Sequence, residues 1–202
     1  DESFGIGQIP IYLVLGLASA VAAVTFIRCL RVASERFGRL AIPEMLKPAV
    51  GGLLLGLMGL ISIMMTGLAD VPSFYGNGYP VITNLLDPAT YLPDEPDGTL
   101  GALALLVGLL LLLKILGTSL TIGSGGAGGM FAPSLVIGAA LGGLLGMLLE
   151  SVGWLPSGSP AHLALVGMAA VLAGTTHAPL TAILIVYELT QSYQVMMPLM
   201  FA

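Results

Sequence analysis

Long apolar runs separated by short breaks dominate the chain. The first, Ile9 to Leu30, carries no charge before Arg28 and exceeds the roughly 20 helical residues that cross a bilayer core, so it predicts a spanning helix. A second run opens at Pro48, which a first helical turn tolerates, and continues through Leu68 as a returning span. Between Asp70 and Asp97 the pattern fails. Gly76, Gly78, Pro80, Pro88, Pro93 and Pro96 break any long helix there and predict a loop with one short helix from Val81 to Leu86. A third run, Leu100 to Leu120, is interrupted only by Lys114. Beyond the glycine-rich stretch Gly123 to Gly129 come shorter runs from Met130 to Leu149, Ala161 to Ala173, Pro179 to Leu189 and Val195 onward.

Several of these later runs are too short to span alone. Apolar helices broken by Gly and Pro are the pattern of transporters and channels, because irregular backbone at membrane depth survives only where it is buried or lines a cavity. Small residues recur as well: Gly142 and Gly146 form a small-xxx-small pair that lets helix backbones approach closely.

Composition sharpens the picture. Hydrophobic residues make up 56% of 202 positions and charged residues 8%, with a mean hydropathy of +1.00. Eleven acidic and six basic side chains cannot cover a water-soluble surface of this size, so lipid is the expected solvent. The net charge of -5 identifies no partner, nucleic acid included, because the charges are clustered. Arg28, Arg31, Arg36, Arg39 and Lys47 fall together after the first run and mark that connection as cytoplasmic; Asp87, Asp94, Glu95 and Asp97 make the 70–97 loop acidic and external. Cys29 is the single cysteine, which excludes an internal disulfide and any cysteine metal site. No metal and no resident cofactor are expected. The chain opens at Asp1 and stops at Ala202 inside an apolar stretch, and it reads as a piece of something longer.

The chemistry concentrates in Gly123 to Pro133, G-S-G-G-A-G-G-M-F-A-P. A flexible glycine turn delivers the chain into a new apolar helix whose first N–H groups, around Met130, Phe131 and Ala132, have no intrahelical acceptor. The macrodipole adds partial positive charge at the same end, so an anion can satisfy those donors without a basic side chain. Neutral donors also hold an anion reversibly, which transport requires.

Two other readings of this stretch are weak. Gly123, Gly125 and Gly128 fit G-x-G-x-x-G, but a membrane-length run precedes them where a dinucleotide site needs a short strand, and no Gly-Lys-Ser/Thr follows. An intramembrane hydrolase using Ser124, with His162 or His177 as base, is the enzymatic alternative; Ile122 stands where its G-x-S-G pattern needs glycine. A non-transporting membrane subunit is the third. Lys114, deep in its run, is a functional candidate by default, as an electrostatic attractor of anions or a helix cap, with plain structural pairing as the competing reading. Glu150 and Glu188 read as helix-end or paired carboxylates, and both histidines as helix-end residues.

Gly129-Met130-Phe131-Ala132-Pro133 matches the G-x-F-x-P signature of CLC chloride channels and chloride/proton antiporters. Downstream, Gly167-Met168-Ala169-Ala170, Thr176 to Thr181, Tyr187 to Thr190 and Tyr193-Gln194 resemble that family's G-M-x-A, R-A-P-L-T, L-E-M-T and N-Y-Q run, and Gly76 to Tyr79 resembles its upstream turn. The likeness covers nearly the whole chain, about helices J to Q of the family.

That resemblance implies an all-α integral membrane fold: a bundle of tilted, broken and partly re-entrant helices forming half of an inverted repeat. Residues 1–202 would be the C-terminal half of the transmembrane domain, without the N-terminal half or the last helix. It implies chloride transport and no enzymatic activity, with the anion held by backbone amides of Met130 and Phe131, flanked by Gly129 and Ala132. It also implies a homodimer through the segments near Pro179 to Ala202 in a plasma (inner) membrane. The serine, gating glutamate and pore tyrosine that separate channel from antiporter lie outside this chain. Met130 stands where other members have Ile or Val, and His177 where others have Arg; backbone ligation survives the first change.

Overall fold

The computed structural model describes residues 9–66, 73–91, 99–155, 159–190, 200 and 202. Among these the chain is all-α: α1 Ile9–Gly38, α2 Lys47–Thr66, α3 Tyr79–Leu86, α4 Thr99–Gly123, α5 Phe131–Ser151, α6 Ser159–Thr176 and α7 Pro179–Thr190. Single 3-10 turns, Glu44–Leu46 and Pro88–Tyr91, precede α2 and follow α3. Among the described residues four helices are long and apolar enough to cross a membrane: α1, α2, α4 and α5. The expected run from Val195 lies almost entirely outside the described residues, as do Asp70, Asp94, Glu95 and Asp97.

The expected spans are all present as helices, with shifted ends. α1 runs eight residues past Leu30 to Gly38, so Arg28, Arg31 and Arg36 ride on its last turns and only Arg39 and Lys47 lie beyond it. Cations at a helix C-terminus complement the macrodipole, which lets the helix continue where hydropathy alone would end it. Met130 is the residue before α5 and Phe131 its first helical residue.

α5 sits at the centre. Its most apolar window is 67% buried within the bundle, against 17–28% for the other three spans. α1 and α2 instead turn Leu13, Leu17, Val21, Leu53, Leu60 and Met64 outward, a surface water would not tolerate and lipid does. Side chains on α5 and α6 build the main core, with Leu135, Val136, Val166, Met168 and Leu172 almost fully buried.

The α5–α6 contact is made by backbone. A Cβ on Gly138 would run into the Gly167 carbonyl, one on Gly142 into the Leu163 carbonyl, and one on Gly146 into Pro160. The order of these contacts makes the helices antiparallel, and the four-residue spacing puts Gly138, Gly142 and Gly146 on one stripe. Side-chain-free stripes are how membrane helices gain packing contacts where lipid offers no hydrophobic drive.

The segment expected as an external loop is in part tucked inside the bundle. Phe74 and Gly78 are buried, the Tyr75 hydroxyl donates to the Leu55 carbonyl at 2.8 Å, and Gly59 packs on the same hydroxyl. Leu55 lies about 12 Å along α2 from its start, so the turn dips back toward the middle of that helix. The reason is polar: a lysine buried in α4 needs acceptors, and turn carbonyls supply them. Gly76 and Gly78 take the left-handed conformations, φ 65° and 81°, that fold the turn tightly enough to reach it. α3 then starts at Tyr79, two residues before the expected Val81.

Candidate functional site

α4 ends at Gly123, against Ala33 and Ser34 of α1, and the glycine turn that follows leads into α5. Gly123 is close-packed there, while Gly125 takes φ 88°, so the turn uses glycine both for contact and for conformation. Pro133 falls in the first turn of α5, where its missing N–H costs no helical bond.

The first donor that finds a helical acceptor is Ser134, whose N–H reaches the Met130 carbonyl at 3.1 Å. The N–H groups of Phe131 and Ala132 precede it and have no acceptor within the helix. No side chain caps this end. An uncapped helix start leaves those N–H groups to be satisfied by water or a ligand.

These donors open on a cavity of about 520 Å³. Gly129, Phe131 and Ala132 line it from the helix start, Lys114 and Thr118 from α4, and Asn77 from the re-entrant turn. Met130 contributes no lining; it packs on the cluster of Ala22, Phe26, Ile115, Ile137 and Val171, which anchors the residue before α5 to α1, α4 and α6. Phe131 is 41% exposed, so the ring of the first helical residue is free to border the space.

Lys114 is 1% exposed. Its Nζ donates to the carbonyls of Phe74 at 3.0 Å and Gly76 at 2.8 Å. It therefore serves as the pin of the re-entrant turn, the structural pairing weighed above, and it also borders the cavity. The cavity is thus lined by a helix N-terminus and by a buried lysine. The helix end favours a negative guest.

Ser124 is committed elsewhere. Its hydroxyl, 3% exposed, donates to the Thr121 carbonyl at 3.0 Å and packs on Gly51 of α2, and among the described residues no histidine bonds to it.

Sequence reasoning passed over three polar groups at the site. Tyr75 holds the turn to α2; Ser134 donates its hydroxyl to the Met130 carbonyl at 2.7 Å; Thr175, on α6, lies 3.0 Å from the Ser134 oxygen. Ser134 follows the signature directly and carried the only available signal, a hydroxyl four residues after Met130.

A helix-only bundle with several membrane-length apolar helices, a broken segment and a re-entrant turn defines a multi-pass integral membrane protein. The chain matches the family model described as voltage gated chloride channel over residues 1–202, and it belongs to that family. It is 38% identical over 197 residues to a ClcB-like chloride channel protein of Ralstonia nicotianae, covering 96% of this chain and 41% of that protein. It is 32% identical over 190 residues to the voltage-gated ClC-type chloride channel ClcB of Salmonella typhimurium, covering 93% and 40% respectively. Similarity to chloride channel protein CLC-f of Arabidopsis thaliana is 31% over 207 residues, covering 96% of this chain and 24% of that protein. The chain thus spans about two-fifths or less of these relatives' length.

Proposed function

We propose that the full-length protein carries chloride, or a small anion like it, across the membrane, and that this chain supplies the C-terminal half of the transmembrane domain. The anion is received by the backbone amides at the start of α5, that of Phe131 foremost, with Gly129 and Ala132 shaping the approach; Met130, the other donor expected from the sequence, does not line the cavity. Lys114 adds a favourable potential. The observation that carries the reading is an uncapped, glycine-introduced helix start opening on a cavity bordered by a buried lysine. Membership of the chloride channel family supports it. No resident cofactor is required: the anion is cargo, the site is a set of amides, and no bond is made or broken.

Two copies of the protein are proposed to associate through α7 and the segment after it, each with its own path. α7 turns Leu180 and Leu184 outward, an apolar face a second copy would cover. Channel and proton-coupled exchange remain equal forms of the proposal.

The test is ion efflux from liposomes containing the full-length protein. Chloride release, with selectivity among anions changed by bulky residues at Gly129 or Ala132, supports the proposal; absence of release, or selectivity indifferent to every such replacement, defeats it.

A further inference from the structure

The proposed donors are main-chain groups, so their aim is set by peptide planes. The peptide joining Met130 to Phe131 is one rigid plate with the Met130 oxygen on one edge and the Phe131 N–H on the opposite edge. Whatever fixes the oxygen aims the N–H. Two groups fix it: the Ser134 N–H at 3.1 Å, which any helix would provide, and the Ser134 hydroxyl at 2.7 Å, which a helix does not need. A serine folded back on its own helix is neutral or slightly unfavourable for helix stability, so local propensity gives no account of it.

The second helix gives one. Thr175 Oγ1 lies 3.0 Å from Ser134 Oγ and 3.0 Å from the Leu172 carbonyl, and it has a single proton to give. The Leu172 carbonyl already accepts from the Thr176 hydroxyl at 2.7 Å and from its helical N–H partner on Thr176, which fills both lone pairs and leaves the Thr175 proton for Ser134. Ser134 then spends its own proton on Met130. Ser134 is fully buried and Thr175 is 8% exposed, so water does not compete for either hydroxyl.

We infer that Ser134 and Thr175 are positioning residues of the proposed anion site, a two-hydroxyl relay from α6 that holds the Phe131 N–H on its target. The inference rests on the anion reading above. Neither side chain touches the ion. A hydrogen bond to the carbonyl edge of a peptide also polarises that plate and strengthens its N–H as a donor. Donors held in fixed aim discriminate between a small sphere and a larger planar anion, and loosened donors do so less.

The experiment measures chloride affinity of the purified full-length protein by calorimetry and the chloride-to-nitrate flux ratio in liposomes. Ser134→Ala and Thr175→Val are each expected to weaken chloride binding roughly three- to tenfold, the range of one lost hydrogen bond, and to lower the ratio. Thr175→Ser and Ser134→Thr, which keep the hydroxyl, are expected to stay near wild type. The double variant is expected to be no weaker than Ser134→Ala, since both break one relay. Thr175→Val preserves shape, and it decides the matter alone if Ser134→Ala does not fold. Folded variants with wild-type affinity and ratio overturn the inference, and so does a loss that Thr175→Ser fails to avoid, which marks a packing role. Wild-type protein that neither binds nor carries chloride overturns the anion reading itself and the relay with it.

Discussion

Lys114 Nζ donates a 2.8 Å hydrogen bond to the carbonyl oxygen of Gly76, 38 positions earlier in the chain. Phe74 accepts from the same ammonium, and Tyr75 between them bonds to α2. Three consecutive residues of one turn are thereby tied to two different helices. Lys114→Met leaves the buried Phe74 carbonyl and the part-buried Gly76 carbonyl without this donor and is expected to cost about 1–3 kcal/mol for the first and less for the second. Tyr75→Phe removes one bond and is expected to cost about 1 kcal/mol. Because both groups hold the same turn, the two losses are expected to be non-additive in a double-mutant cycle read by thermal unfolding in detergent.

Gly142→Val places a branched side chain where the Leu163 carbonyl already sits. The helices must separate, and overpacking of this kind is expected to cost about 3 kcal/mol or more. A fall in unfolding temperature, or failure to recover monodisperse protein, is the expected result. Gly52, by contrast, lies inside α2 with open space around its missing Cβ, and Gly52→Ala is expected to cause no loss and to stabilise by up to about 1 kcal/mol in the same assay.

Gly129→Val separates stability from transport. No atom lies within 4 Å of the Cβ it would gain, so the fold is expected to change by no more than about 0.5 kcal/mol. The new side chain would stand at the lining of the cavity. Anion flux in liposomes is therefore expected to fall, and selectivity to shift, in a protein that melts like wild type.

Ser124→Ala is expected to leave flux intact and to lower stability by no more than about 1 kcal/mol, because the hydroxyl makes one local bond to the Thr121 carbonyl. Loss of flux in folded Ser124→Ala protein would give the serine a role that its buried position does not suggest.

Hydropathy made the spans visible because about 20 apolar residues in a row have few alternatives to a membrane helix. The start of α5 was legible for a similar reason: a glycine run followed by Pro133 in a first turn dictates where the helix begins. Lys114 was legible as an anomaly but its partners were not, since the carbonyls of Phe74 and Gly76 carry no mark in the sequence. The dip of that turn was hidden as well. Glycine and proline announce a break in helix, and the same residues serve an exposed loop and a buried one. Thr175 and Ser134 are 41 positions apart, and their meeting depends on the register of α5 against α6, which the glycine stripe sets in three dimensions only.

That glycine stripe has a mechanical corollary. Where Gly138 meets Gly167 there are no side chains to act as bearings, so α5 and α6 are obliged to travel as one stiff body. The opposite wall of the cavity is a short turn hung from Lys114 and Tyr75 by three hydrogen bonds. A change in the width of the cavity is therefore expected to begin in that suspended wall and to leave the start of α5 at rest.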